Sequence, residues 1–363
     1  MWRISSCVIL LVTLLSEVSA QTFGNEWIDS EKTYYKIQVA EDGLYRVTSS
    51  ELSSAGVPVS NIAAGRYQLF HNGEEVAIFV RDDNGDGRLD SFDFFGEKND
   101  GRLDTEMYVA PEAQPHDYYS LFSDTSAYFL TWHLSNIAGK RMAFSSLKDA
   151  SGLTPVDYHS ESLLQLQTSS YSSGVRYGSS YDIQSAVYDY GEGWTGPNIS
   201  KNGNRTYDFT LANFDSGGPK PTLEVVLNGI SNFSHVTEIS AGPNASSLRS
   251  IGQASFNGRF NYTFSGQLEW SDVGADGTLV VQVTSVGVAG QTDVVSVAYV
   301  SVGFAQNLNL TSSSKTYQIP DSSNPRQYAV VSTNNASSLS VYDVTNPNKL
   351  ARVASTAYSN RLE

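Results

Sequence analysis

From Tyr34 to Val302 the chain repeats one pattern: short runs in which β-branched, aromatic or aliphatic side chains alternate with polar ones, each ended by Gly, Asn, Asp or Pro. Alternation with a period of two places every second side chain on the same face of a strand, so such runs fold as half-buried antiparallel sheets. Only Thr48-Ser-Ser-Glu51 reads as a helix start, with a Thr hydroxyl placed for a first-turn amide and a Glu placed to reach back. Gly56 supplies the stop. The predicted fold is mainly β with one short helix, and the 21 tyrosines and 29 glycines agree with it.

The first twenty residues form a separate segment. Arg3, the apolar stretch from Val8 to Leu15 and the small residues Val18-Ser19-Ala20 make a secretory signal peptide over residues 1–20. The mature protein is expected to be exported, to the cell surface, the outer membrane or the extracellular medium. No later stretch offers about 18 uninterrupted apolar residues, so no membrane-spanning helix is expected. The one cysteine, Cys7, lies in the leader, which leaves the mature chain without a disulfide, a thiolate zinc site or a cysteine nucleophile. Acidic residues outnumber basic ones 38 to 23, for a net charge of −15, and no Lys/Arg cluster appears, which excludes a nucleic-acid partner.

Four segments follow the leader. Residues 21–150 read as an N-terminal β-domain. In it Tyr34–Val39 and Gly43–Val47 make one expected hairpin, and Tyr67–Phe70 and Val76–Val80 make a second around Asn72-Gly73. Residues 151–205 turn rich in Ser, Tyr and Gly and read as a linker or irregular segment, with Trp194 as a packing anchor. Residues 206–310 carry short strands at Thr206–Leu211, Thr222–Leu227, Phe260–Phe264, Thr278–Val283 and Val294–Val302. Their spacing predicts an antiparallel β-sandwich of jelly-roll type. Residues 311–363 read as the start of a further β-segment.

One loop carries candidate chemistry. Counted from Asp82, the stretch DDNGDGRLDSFD places Asp82, Asn84, Asp86, Arg88 (through its carbonyl), Asp90 and Asp93 at the ligand positions of a calcium loop. Gly87 stands where such a loop turns and Leu89 where it packs. Asp in place of Glu at the last position weakens bidentate capture. A strand rather than a helix leads in, so the expectation is a structural Ca2+ clip without an EF-hand frame. The second DGRLD, Asp100–Asp104, lacks upstream ligands and reads as a plain turn. The five histidines show no metal-ligand spacing, and no GxSxG or phosphate-binding glycine loop occurs.

Several stretches resemble a known family. They are Tyr34-Tyr-Lys-Ile-Gln-Val-Ala-Glu-Asp-Gly-Leu-Tyr-Arg-Val47, Leu69–Val76, Phe94–Asp104, Tyr118–Trp132, Gly191-Glu-Gly-Trp194 and Val341-Tyr-Asp-Val-Thr-Asn-Pro347. They are similar to the N-terminal region of PorU-type sortases of the Bacteroidota type IX secretion system, which are gingipain-like cysteine peptidases. The resemblance implies β-domains placed ahead of a peptidase domain with a Cys/His pair. It also implies work at the outer membrane, where C-terminal sorting signals are removed from secreted cargo and the cargo is joined to surface lipopolysaccharide.

The partners implied are the chain's own C-terminal peptidase domain, an outer-membrane secretion-system protein and the cargo proteins. No catalytic residue carries over, because the only cysteine is Cys7 and the family's catalytic domain is expected after Glu363. The chain by itself is expected to be inactive. A secreted gingipain-like protease is a close variant of this reading. A stand-alone, calcium-stabilised β-sandwich adhesin or carbohydrate-binding protein is the alternative.

Overall fold

The computed structural model describes residues 24–146, 149–177, 183–324 and 326–363. The signal peptide read at 1–20, with Cys7, lies outside them. The first unit contains β1 (Tyr35–Val39), β2 (Gly43–Thr48), α1 (Ser49–Ser54), β3 (Tyr67–His71), β4 (Glu74–Val76), β5 (Phe79–Arg81), β6 (Ser91–Gly96), β7 (Ser126–Trp132) and β8 (Ala143–Ser145). Two antiparallel sheets, β1-β7-β3-β4 and β2-β6-β5, share one core. Val39, Tyr67, Leu69, Tyr128 and Leu130 enter it from the first sheet, Phe92 and Phe94 from the second, and Leu52 from α1.

The helix starts where the capping signal places it. The Glu51 amide donates to Thr48 Oγ1 at 3.3 Å and the Thr48 amide to Glu51 Oε2 at 2.7 Å. Asn72 and Gly73, with φ of 47° and 84°, form the expected tight turn between β3 and β4.

The first expected hairpin is not one. β1 pairs with β7 and β2 with β6, in different sheets, so Ala40–Asp42 crosses between sheets. The Val76–Val80 run likewise divides between β4 and β5, with Ala77 and Ile78 buried at the crossing. Alternation fixes which face of a strand is buried, but it does not name the neighbour.

The second unit contains β9 (His159–Leu166), β10 (Ser170–Ser173), β11 (Glu192–Thr195), β12 (Ile199–Ser200), β13 (Asn204–Thr210), β14 (Thr222–Gly229), β15 (Ser234–Gly242), β16 (Arg249–Asn257), β17 (Asn261–Gln267), β18 (Thr278–Ser285) and β19 (Val294–Gln306). One sheet runs β9-β19-β14-β17, with the short β12 also on β19; the other runs β13-β18-β15-β16. The eight long strands, numbered in chain order, stand 1-8-3-6 against 2-7-4-5, which is a jelly roll. Its core alternates along each strand, as in Leu223, Val225 and Leu227 of β14, Val281 and Val283 of β18, and Val300 and Val302 of β19.

Two expectations change in this unit. The segment read as a linker contains β9, paired with β19 from Tyr299 to Gln306, and a β10–β11 hairpin. β9 is an edge strand whose first half is His-Ser-Glu-Ser, so little apolar alternation announces it. β15 and β16, a pair the sequence did not single out, are half Ser, Thr, Gly and charged residues, and few of their side chains, such as Ile239, Ala241 and Ala254, join the apolar core.

The C-terminal segment holds β20 (Val331–Ser332), β21 (Val341–Asp343), β22 (Ala351–Val353) and β23 (Arg361–Leu362). Rather than beginning a separate unit, β22 pairs in parallel with β8 of the first unit and antiparallel with β21. Leu350 joins Ala77 and Met142 in a small core flanked by Phe79, Phe95 and Tyr342. Upstream, the Ser160 amide donates to the Gln318 carbonyl and the Val156 amide to the Tyr328 carbonyl, both at 2.8 Å. The segment therefore touches both units.

Candidate functional site

The acidic loop joins β5 to β6, and the Asp90 amide closes it by donating to the Arg81 carbonyl at 2.9 Å. Inside it, Asp82 accepts from the Asp86 and Gly87 amides at 3.0 and 2.9 Å. Asn84 accepts from the Asp86 amide at 2.9 Å, Asp86 from the Arg88 amide at 2.8 Å, and Asp90 from the Asp83 amide at 2.6 Å. Gly85 and Gly87 sit at φ of 74° and 79°, a backbone that side chains rarely adopt. The Gly87 carbonyl accepts from the Ala64 amide at 3.0 Å, and Leu89 is buried, so the loop is anchored to the core. Asp82, Asn84, Asp86, Arg88 and Asp90 thus share one turn.

Asp93 does not join them. It stands on β6 between Phe92 and Phe94, which point into the core, so alternation sends its side chain to the opposite face. There its Oδ1 accepts from Arg46 Nε at 2.7 Å. Its Oδ2 accepts from Arg81 Nη2 at 2.9 Å, from Arg46 Nη2 at 3.1 Å and from the Tyr342 hydroxyl at 2.9 Å. Burial pushes the Asp93 carboxyl up, but the hydrogen bonds from Arg46, Arg81 and Tyr342 outweigh it and hold the group below its ordinary value. The twelfth ligand position of the calcium template is therefore a structural ion pair reaching the C-terminal segment. Among the described residues, no group of three His, Cys, Asp or Glu side chains gathers as a metal site.

In the second DGRLD, Arg102 pairs with Asp100 at 2.7 Å, and buried Asp104 accepts from the Leu121 amide at 2.7 Å. The first contact is local; the second ties the short 3-10 helix Arg102–Met107 to the segment ahead of β7.

Two histidines are built into the sandwich. His159 Nε2 meets Gln306 Oε1 at 2.9 Å. His235, wholly buried, bonds Asp293 through Nδ1 and the Gly258 carbonyl through Nε2, while Ser285 Oγ donates to the same Asp293 at 2.7 Å. Asp293 lies in the middle of this chain, so no serine faces a free imidazole and no nucleophile is activated. Trp194 is an anchor, as expected, meeting Tyr119 and Tyr171 edge-on at 6.3 and 5.4 Å.

His116 lies where the first unit meets the sandwich, against Tyr118 and edge-on to Tyr299 at 6.0 Å. Burial pushes its imidazole down to about 4, against smaller opposing contributions from the Trp194 backbone and Asp117. The unfolded chain takes up this proton near the ordinary value, and the folded chain only near pH 4. Acidification between those limits therefore removes about 3 kcal/mol of stability that is fully present at neutral pH. His116→Phe keeps the ring contacts, so its melting temperature is expected to fall less than that of the wild type between pH 7.5 and 4.5. Parallel curves would refute the assignment.

No protein-family model and no curated protein matches the chain. Among solved structures, the CBM36-1 domain of a multidomain xylanase from the hindgut metagenome of Trinervitermes trinervoides aligns at 11% identity and a TM-score of 0.25, over 39% of this chain and 96% of that one. The carbohydrate-binding module CBM36 in complex with calcium and xylotriose aligns at 15% and 0.21, over 37% and 97%. Scores so low support no argument. The dimeric latent PorU from Porphyromonas gingivalis aligns at 16% identity and a TM-score of 0.59, over 91% of this chain and 30% of PorU. At that identity the likeness is one of fold, and this chain spans less than a third of the PorU chain.

Proposed function

We propose that this chain is the non-catalytic N-terminal β-region of a gingipain-like cysteine peptidase of the type IX secretion sortase kind. In this reading it is exported, and it supports or positions a peptidase domain that processes cargo and attaches it at the cell surface. The observation that carries the reading is the fold match to PorU over 91% of the chain, together with the quoted stretches between Tyr34 and Trp132. The chemistry needs a thiolate, and the only cysteine here is Cys7. Purified residues 21–363 are therefore expected to hydrolyse no peptide. Deleting the gene in the organism that makes the protein is expected to leave secreted cargo with uncleaved C-terminal signals. Normally processed cargo in the deletion strain would overturn the reading.

We also propose that the loop takes a structural Ca2+ through Asp82, Asn84, Asp86, Asp90 and the Arg88 carbonyl, without Asp93. The spacing of five oxygen donors along one glycine-permitted turn supports this; Asp82, Asp86 and Asp90, bonded to the loop's own amides, are not gathered, and the ion would draw them together. Without a bidentate closing ligand, the affinity belongs with extracellular modules, at a Kd on the order of 10⁻⁴ to 10⁻³ M. EDTA is expected to lower the melting temperature of protein held in millimolar Ca2+, and Asp86→Ala to abolish that difference. An unfolding curve indifferent to chelation would count against the ion.

A further inference from the structure

The outer face of the sandwich sheet β9-β19-β14-β17 can be read row by row from its register. One row is Ser162, Gly303, Thr222 and Gln267; the next is Leu164, Ser301, Glu224 and Ser265; the third is Leu166, Tyr299, Val226 and Thr263. The third row is covered: Val226 and Tyr299 are 1% and 6% exposed, and Tyr118 of the first unit meets the Tyr299 ring edge-on at 5.1 Å. The first two rows remain open and form a groove of about 410 Å³, within the roughly 300–1,000 Å³ range of small-ligand sites. The floor is hollow because its side chains are small. At Gly303 a Cβ would stand 2.8 Å from Thr222 Oγ1.

The chemistry of this floor is unusual for so acidic a protein. Its polar groups are the hydroxyls of Ser162, Thr222, Ser265 and Ser301 and the amide of Gln267, groups that donate and accept, with the Ser162 and Ser301 hydroxyls sharing one bond at 3.1 Å. Glu224 is the single charge and already accepts from the Tyr299 hydroxyl at 2.5 Å; no Lys or Arg lines the groove. A phosphate, sulfate or carboxylate would find no counter-cation here. An added peptide strand would need a sheet edge, whereas this is a face. Apolar surface lies alongside the groove: Leu164 beside Ser301 in the second row, 39% exposed, and the Tyr118 ring against Tyr299 of the third row, 40% exposed. We propose that the groove binds a neutral oligosaccharide, its hydroxyls on the Ser/Thr/Gln floor and a sugar C–H face against Tyr118. This rests on the groove alone and stands or falls independently of the sortase-type reading.

The test uses purified residues 21–363 on an array of neutral and anionic glycans, followed by titration calorimetry with the best neutral ligand. Ser301→Trp fills the floor and is expected to weaken binding at least about tenfold, and Tyr118→Ala to weaken it by about tenfold. Phe144→Ala, on β8 of the first unit, is expected to leave it unchanged. Unaltered melting temperatures show that the variants remain folded. Silence of every neutral glycan at millimolar concentration, a preference for anionic glycans, or a folded Ser301→Trp protein that binds like the wild type would each overturn the proposal.

Discussion

Replacing His235 with alanine is expected to destabilise the protein by about 4 kcal/mol, because it strands a carboxylate in a dry core. Both side chains of the His235–Asp293 pair are 0% exposed. Without the imidazole, Asp293 keeps only the Ser285 hydroxyl, and the Gly258 carbonyl loses its donor. The pair ties β15 to the segment entering β19, so the cost falls on the closure of the whole sandwich. The double replacement His235→Leu, Asp293→Val leaves no charge behind and is expected to cost less than the single change. Chemical denaturation of the three proteins decides the matter. A double variant less stable than His235→Ala would show that the pair stabilises by its own attraction rather than by avoiding an orphaned charge.

The second large effect is expected at Asp93. Asp93→Ala removes the common acceptor of Arg46, Arg81 and Tyr342 and should cost about 3 kcal/mol. Tyr342→Phe removes one hydrogen bond of that cluster and should cost about 1 kcal/mol. Because the folded carboxyl lies below its unfolded value, the contribution is complete above the ordinary Asp range and is lost as pH falls through the folded value. The site of the damage is as informative as its size. Amide exchange should rise first in β8, β21 and β22, where the C-terminal segment lies on the first unit, while the sandwich strands keep their protection. Uniform loss of protection across both units would show instead that the cluster is part of one cooperative core.

Much of this architecture is legible without coordinates. The Thr48–Glu51 box gives the helix, Asn72-Gly73 gives the turn, and the runs at Thr222, Thr278 and Val294 give inner strands of the jelly roll. Even the correction at Asp93 follows from period two: with Phe92 and Phe94 inside, Asp93 cannot also turn back to the loop. A linear ligand template counts positions and ignores where β6 begins. The groove leaves a weaker trace, since Ser162, Thr222, Ser265 and Ser301 look like ordinary wet-face residues until register sets them side by side.

By itself the sequence determined local matters: which residues turn, which cap, and which face of each strand is buried. These depend on neighbours a few positions away. Tertiary structure alone decided that β1 and β2 belong to different sheets, that β9 completes the sandwich, and that Tyr342 reaches Asp93 across 249 positions of sequence. A strand offers the same backbone donors and acceptors to any partner. Its neighbour is therefore chosen by how all the buried faces can be covered at once, which no short stretch of sequence states.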